Sequence, residues 1–267
     1  RDGSGPTTAW SCSTTSSSSG FGACPTGWTN AAGTWVKATV SDAISGLAGS
    51  ITSAGTQSPT GTDLVSGAST CATATAGTAS CDFVWYRSTD TTSGGVTYSV
   101  AASDVAGTTA AASSQNLRRD TAAPTVGYTC STTSATATDF TTCTAWYKVN
   151  VWVKATVADP GAGLALSTGS GDSQSPAGSD LVTASSTCRT IADGAASCVF
   201  VWARTTDTTS GGVTYAVAAA DRAASSATVS QTVGRDTAGP TVTWIDPSTA
   251  TTITSPAATA LTVQSAG

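Results

Sequence analysis

CATATAGTASCDFVWYRSTDTTSGGVTYSVAASDVAG, residues 71–107, returns at 188–224 as CRTIADGAASCVFVWARTTDTTSGGVTYAVAAADRAA, 117 residues later and without a gap. The same offset carries WVKATVSD (35–42) onto WVKATVAD (152–159). Each copy opens alike, with RDGSGPTTAW at 1–10, RDTAAPTVGY at 119–128 and RDTAGPTVTW at 235–244. Self-similarity at a fixed period is the mark of one folding unit used repeatedly. The expected units are 1–118 and 119–234. Residues 235–267 then read as the first strands of a third unit, or as a donor segment for a neighbouring subunit.

Inside the copies the apolar residues alternate. In 35–42, Val36, Ala38 and Val40 point one way while Trp35, Lys37 and Thr39 point the other, as a half-buried strand requires. In 96–104 the expected buried series is Tyr98, Val100 and Ala102. DTTSGG (90–95) is a turn signal before that strand, with Gly94 and Gly95 able to supply positive φ. No stretch shows the 3.6-residue apolar period of a long helix. Short alternating strands broken by Gly, Pro and Ser predict an all-β chain of sandwiches, with about seven strands per unit.

Composition narrows the chemistry. The 267 residues include no His, no Met and no Glu, so all sixteen acidic groups are Asp. General acid–base catalysis draws most often on His or Glu, and metal sites draw most often on His. An enzyme is therefore not expected. The net charge of -5 lacks the basic footprint of a nucleic-acid binder. No apolar run reaches the roughly 20 residues of a membrane span. Ser and Thr make up about a third of the chain, and charged residues only 10%. The chain begins at Arg1 without a signal-peptide pattern, which is the expectation for a mature or excised segment.

The eight Cys repeat with the units: Cys12, Cys24, Cys71 and Cys81, then Cys130, Cys143, Cys188 and Cys198. None forms a C-x-x-C pair, and a zinc site without His would need four thiolates. An even set in this layout predicts disulfides and an oxidising, extracellular compartment. The simplest pairing is local, Cys12–Cys24, Cys71–Cys81, Cys130–Cys143 and Cys188–Cys198, with AGTA and ADGA as hairpin tips between the later pairs. Bridging between subunits is the alternative.

Three motifs resemble the bacterial immunoglobulin-like repeats of large secreted and cell-surface proteins. They are D-T-A-x-P-T-V at 120–126 and 236–242, A-T-V-x-D followed by x-x-x-G-L at 38–47 and 155–164, and T-Y-x-V-A-x-x-D at 97–104 and 214–221. The resemblance spans nearly the whole chain. It implies tandem Greek-key sandwiches joined end to end. Tyr98 and Tyr215 sit as a tyrosine corner would. The Cys positions differ from those of antibody domains, so no bridge between sheets is implied.

Placed on that topology, two further sets of residues become candidates. Strand ends and loops gather Asp90, Asp120, Asp159 and Asp221 around the junction, where carboxylates could ligate Ca²⁺; the competing reading is that each caps its own turn. Otherwise no cofactor is expected. Trp35, Trp85, Trp152 and Trp202 are expected on an outward face shared with Lys37, Arg87, Lys154 and Arg204. Such a face suits a cation–π ladder, a neighbouring unit or a sugar ring. In the last segment Val242, Trp244, Ile253, Leu261 and Val263 are the residues a donated strand would insert.

The functional expectation is a non-enzymatic structural element of an extracellular filament, pilus-like fibre or surface stalk. Its partners would be copies of itself head to tail, or further repeats of the same chain. The alternative is an adhesin or carbohydrate-binding module that meets a glycan or host surface through the Trp face.

Overall fold

Strand β3 (Thr34–Ser41) shows how the repeat is built: its side chains alternate strictly between buried and half-buried, with Val36, Ala38 and Val40 fully inside. The computed structural model describes residues 1–49, 63–166 and 180–241, with the backbone of 244–245 and 252–253. It is all-β apart from short 3-10 turns. β3 pairs antiparallel on both sides, with β1 (Thr7–Ser13) and β4 (Ser80–Arg87). A second sheet has the order β2-β6-β5, made of β2 (Trp28–Thr29), β5 (Val96–Val100) and β6 (Ser113–Arg119). β2 runs parallel to β6, and β5 runs antiparallel to it.

The second copy repeats this plan. β7 (Thr125–Ser131), β9 (Val151–Ala158) and β10 (Ser197–Arg204) form one sheet, with β9 in the centre. β8 (Trp146–Tyr147), β12 (Ser226–Arg235) and β11 (Val213–Ala220) form the other, with β12 in the centre. Registers are conserved across the offset: Val36 faces Trp85 in one unit, and Val153 faces Trp202 in the other. Six strands per unit are described rather than about seven. Among the described residues, isolated bridges add Leu64 to β4 at Trp85 and Leu181 to β10 at Trp202.

Each core is an aromatic stack. Trp85 is wholly buried, with its ring 5.8 Å from Trp10 and from Phe83 in its own sheet and 5.3 Å from Tyr98 across the sandwich. Trp202 repeats this with Phe200 at 5.8 Å and Tyr215 at 5.2 Å. Tyr98, Val100 and Ala102 are all buried. Offset and tilted ring pairs at these spacings add to the energy of burial alone.

The four local Cys pairs are all bridged. Closing loops of 10–13 residues contributes roughly 2–3 kcal/mol each on a chain-entropy basis. The segments before β4 and β10 are not hairpin arms, contrary to the sequence expectation. Cys71 lies in a 3-10 turn (Thr70–Thr73), and so does Cys188 (Thr187–Thr190). The reason is that side-chain oxygens take the place of a partner strand. Ser69 Oγ and Thr70 Oγ1 accept the amides of Val84 and Asp82 along the outer edge of β4, next to the backbone bonds that Asp63 and Val65 make there.

One loop differs between the copies. Gly107 adopts φ +85°, and its counterpart 117 residues on, Ala224, is forced to φ +68°. A side chain costs roughly 1–2 kcal/mol in that region. Ala224→Gly is therefore expected to stabilise the second unit by about 0.5–1 kcal/mol after the entropy of the unfolded glycine is subtracted. An unchanged or lower urea midpoint would refute it.

In the last segment β13 (Trp244–Ile245) and β14 (Thr252–Ile253) pair with each other. Two strands do not make an independent core. Val242, Leu261 and Val263 lie outside the described residues, as do the side chains of Trp244 and Ile253.

Candidate functional site

Asp159 follows directly on β9, and its Oδ1 accepts the amides of Gly161 (2.9 Å) and Gly163 (3.1 Å) in the loop behind it. That loop needs its glycines. Gly163 has φ +77°, and a Cβ on Gly161 would collide with the Asp120 carboxylate. Asp120 itself accepts the amides of Ala122 (3.0 Å) and Ala162, which pins the start of the unit to the same loop. Asp221 follows β11, and its Oδ1 accepts the Ser225 amide at 2.8 Å. The three carboxyl groups each bring an oxygen within 4.8 Å of the others. All three are buried, at 2–3% exposure.

The first unit repeats the arrangement with Asp2, Asp42 and Asp104. Asp42 Oδ1 gathers the amides of Ile44, Ser45 and Gly46 at 2.8–3.1 Å. Asp2 accepts from Ser4 and Ser45, and Asp104 Oδ1 accepts from Thr108 at 2.7 Å. Asp42 and Asp104 are buried, while Asp2 is half-buried.

Turn capping by Asp42, Asp104, Asp159 and Asp221 uses Oδ1 alone, whereas Asp2 and Asp120 accept amides on both oxygens. The remaining Oδ2 atoms of Asp104, Asp159 and Asp221 are buried with no hydrogen-bond partner among the described residues. No ion pair among the described residues includes any of the six carboxylates. Burial pushes the Asp221 carboxyl above its ordinary range, and the charges of Asp159 and Asp120 push it the same way.

Of the four junction residues named from sequence, Asp120, Asp159 and Asp221 converge, whereas Asp90 does not. Asp90 is held by Arg119, whose Nη1 lies 2.6 Å from Oδ1, and by the amide and hydroxyl of Thr121. The Arg119 side chain is nearly fully buried and so takes the nearest carboxylate, donating its other N–H groups to the carbonyls of Ala31 and Ala32. The triad of the first unit was missed by the sequence reading. Its signal was available, since the 117-residue offset carries Asp159 onto Asp42 and Asp221 onto Asp104.

The R-D-T triplet at 119–121 thus divides its contacts. Arg119, the last residue of β6, holds Asp90 within the first unit; Thr121 also bonds back to Asp90, and Asp120 holds the loop of the second unit. At 235–237 the triplet recurs: Arg235 Nη1 lies 2.6 Å from Asp207, and the Thr237 hydroxyl bonds the same carboxylate at 2.8 Å.

The aromatic face is corrected by half. Trp85 and Trp202 are wholly buried instead of outward, because β4 and β10 sit one residue out of the expected phase. Val84 beside Trp85 is also buried, so the run Phe83-Val84-Trp85 has no apolar–polar alternation from which to read a phase. Trp35 and Trp152 are half-buried on the outer face. Trp35 packs at 4.3 Å on Tyr86, whereas Ala203 stands opposite Trp152. The cations do not stack on Trp. Lys37 lies 4.5 Å over Phe21 and Lys154 lies 4.0 Å over Phe140. Arg87 and Arg204 turn to Asp63 and Asp180 instead.

Among the described residues no helix is long and apolar enough to cross a membrane. The four disulfides suit an oxidising compartment. No protein-family model matches the chain, and no curated protein is similar enough to it to carry a comparison.

Proposed function

We propose that this chain is a non-enzymatic structural element of an extracellular filament or cell-surface stalk built from tandem immunoglobulin-like units. The observation that carries the reading is the R-D-T triplet. Directly after β6 ends at Arg119, Asp120 bonds ahead to the loop of the second unit while Thr121 bonds back to Asp90 of the first. The same pattern recurs after β12, which ends at Arg235, where Thr237 bonds back to Asp207. Joints clamped in this way suit a chain that must transmit force or hold distance. The strand orders support the immunoglobulin reading, in which β1-β3-β4 would be strands A, B and E, and β5 and β6 would be F and G. The alternative, a glycan-binding Trp face, loses Trp85 and Trp202 to the cores.

Negative-stain electron microscopy of the natively isolated protein, beside its intact mass without reductant, tests the proposal. Fibres or elongated stalks are expected. Fibres from a chain of 26.1 kDa would indicate assembly by strand exchange, and fibres from a larger chain would indicate continuous repeats. Isolated short particles that are retained on a glycan array would overturn the structural reading in favour of adhesion.

A further inference from the structure

We propose that each carboxylate triad, Asp2/Asp42/Asp104 and Asp120/Asp159/Asp221, binds one Ca²⁺ at the head of its unit. The inference goes beyond the stalk reading and does not rest on it. A cluster of Asp residues alone would not carry it, since Asp commonly caps its own loop. What carries it is the second oxygen. The capping bonds are complete on Oδ1 of Asp104, Asp159 and Asp221. On the same three residues Oδ2 is left buried and unpartnered among the described residues. These side chains are only 2–3% exposed, and a buried charge without a partner is strongly unfavourable. A cation in each triad would give these oxygens a partner, Asp104 Oδ2 in the first unit and the Oδ2 atoms of Asp159 and Asp221 in the second.

The donor set selects the ion. All six side-chain donors are carboxylate oxygens, the chain has no His, and every Cys in the structure is bridged. Zinc and the softer transition metals prefer nitrogen and sulfur. Ca²⁺ binds oxygens at 2.3–2.6 Å, so two ligands of one ion can stand up to about 5 Å apart. The oxygens of each triad lie within 4.8 Å of one another. Mg²⁺ keeps several of its waters, for which a site among side chains this buried leaves little access. The two sites are the same construction. In each, one ligand precedes the first strand, one follows the central strand β3 or β9, and one lies at or just beyond the end of β5 or β11.

Calorimetric titration of CaCl₂ into the full chain, stripped with EDTA and then freed of it, tests the proposal. Two binding events per chain are expected. Asp104→Asn and Asp221→Asn should each remove one event, and the double variant should remove both. Asn keeps the oxygen that caps the loop, and near-UV circular dichroism checks that each variant is folded. A measurement needing no variant is the thermal melt of the unaltered chain. Ca²⁺ a hundredfold above its Kd should raise the midpoint by roughly 10 °C over EDTA. No heat and no shift at millimolar Ca²⁺, or two events persisting in the double variant, would overturn the proposal.

Discussion

Trp202→Ala is expected to lower the unfolding free energy of the second unit by roughly 3–5 kcal/mol, the cost of removing a large aromatic side chain from a packed core. The ring is wholly buried and sits between Phe200 in its own sheet and Tyr215 in the opposing one. Its loss removes the ring contact with Tyr215 across the two sheets and leaves a cavity that neighbouring β-sheet backbone cannot close. Since whole domains are stable by only about 5–15 kcal/mol, this is a large fraction of the total. Trp85→Ala should act in the same way on the first unit. Urea unfolding of the full chain, followed by circular dichroism, gives the measurement. A loss below about 1 kcal/mol would return Trp202 to the surface. The outcome also bears on any binding assay, because lost glycan retention in a Trp85 variant would report unfolding and not a contact.

The second large effect is expected at the buried polar network. Tyr215 donates its hydroxyl to Asp180 Oδ2 at 2.7 Å, and Arg204 Nη1 reaches the same carboxylate at 3.0 Å. The Asp180 and Arg204 side chains are 9% and 14% exposed. Burial, followed by the bond to Asp180, holds the Tyr215 phenol far above its ordinary range, so it stays a donor throughout physiological pH. Asp180→Ala would strand a guanidinium and a phenol at once. About 3 kcal/mol of destabilisation is expected, the low end for a broken buried pair because Arg204 keeps some contact with water and its bonds to Thr206. In the first unit Asp63 and Arg87 stand 3.5 Å apart, and Asp63→Ala should cost less. Adding Arg204→Met to Asp180→Ala should recover part of the loss, since it removes the stranded charge. A single-variant midpoint within about 0.5 kcal/mol of the parent would show that the carboxylate is not what stabilises this network.

These two effects differ in how visible they were beforehand. Tyr98 and Tyr215 were legible as buried from the alternation Tyr-x-Val-x-Ala alone. Their partners Asp63 and Asp180 lie 35 residues earlier, beyond any local pattern. The Asp ligands fall between these cases. Asp120, Asp159 and Asp221 could be gathered from strand ends once a topology was assumed; the repeat offset pointed to Asp42 and Asp104 in the first unit, and the shared R-D opening to Asp2. Asp90 could not be separated from them, because its position at a turn is the same. What excludes it is Arg119, nearly fully buried and bound to it across 29 residues.

Local chemistry was enough for the all-β character of the chain, for the burial of Val36, Ala38, Val40, Tyr98 and Val100, and for the copying of one design across 117 residues. Strand alternation has a period of two, so a few residues carry the information wherever one face is dry and the other wet. β4 and β10 lie outside that condition. Their apolar run has no wet side, and cross-strand pairing with Val36 and Val153 sets which face holds the tryptophan. The folded chain likewise decides which carboxylate oxygens are spent on loop amides and which are left to converge. Both outcomes depend on groups far apart in sequence, and such contacts have no local period from which they could be read.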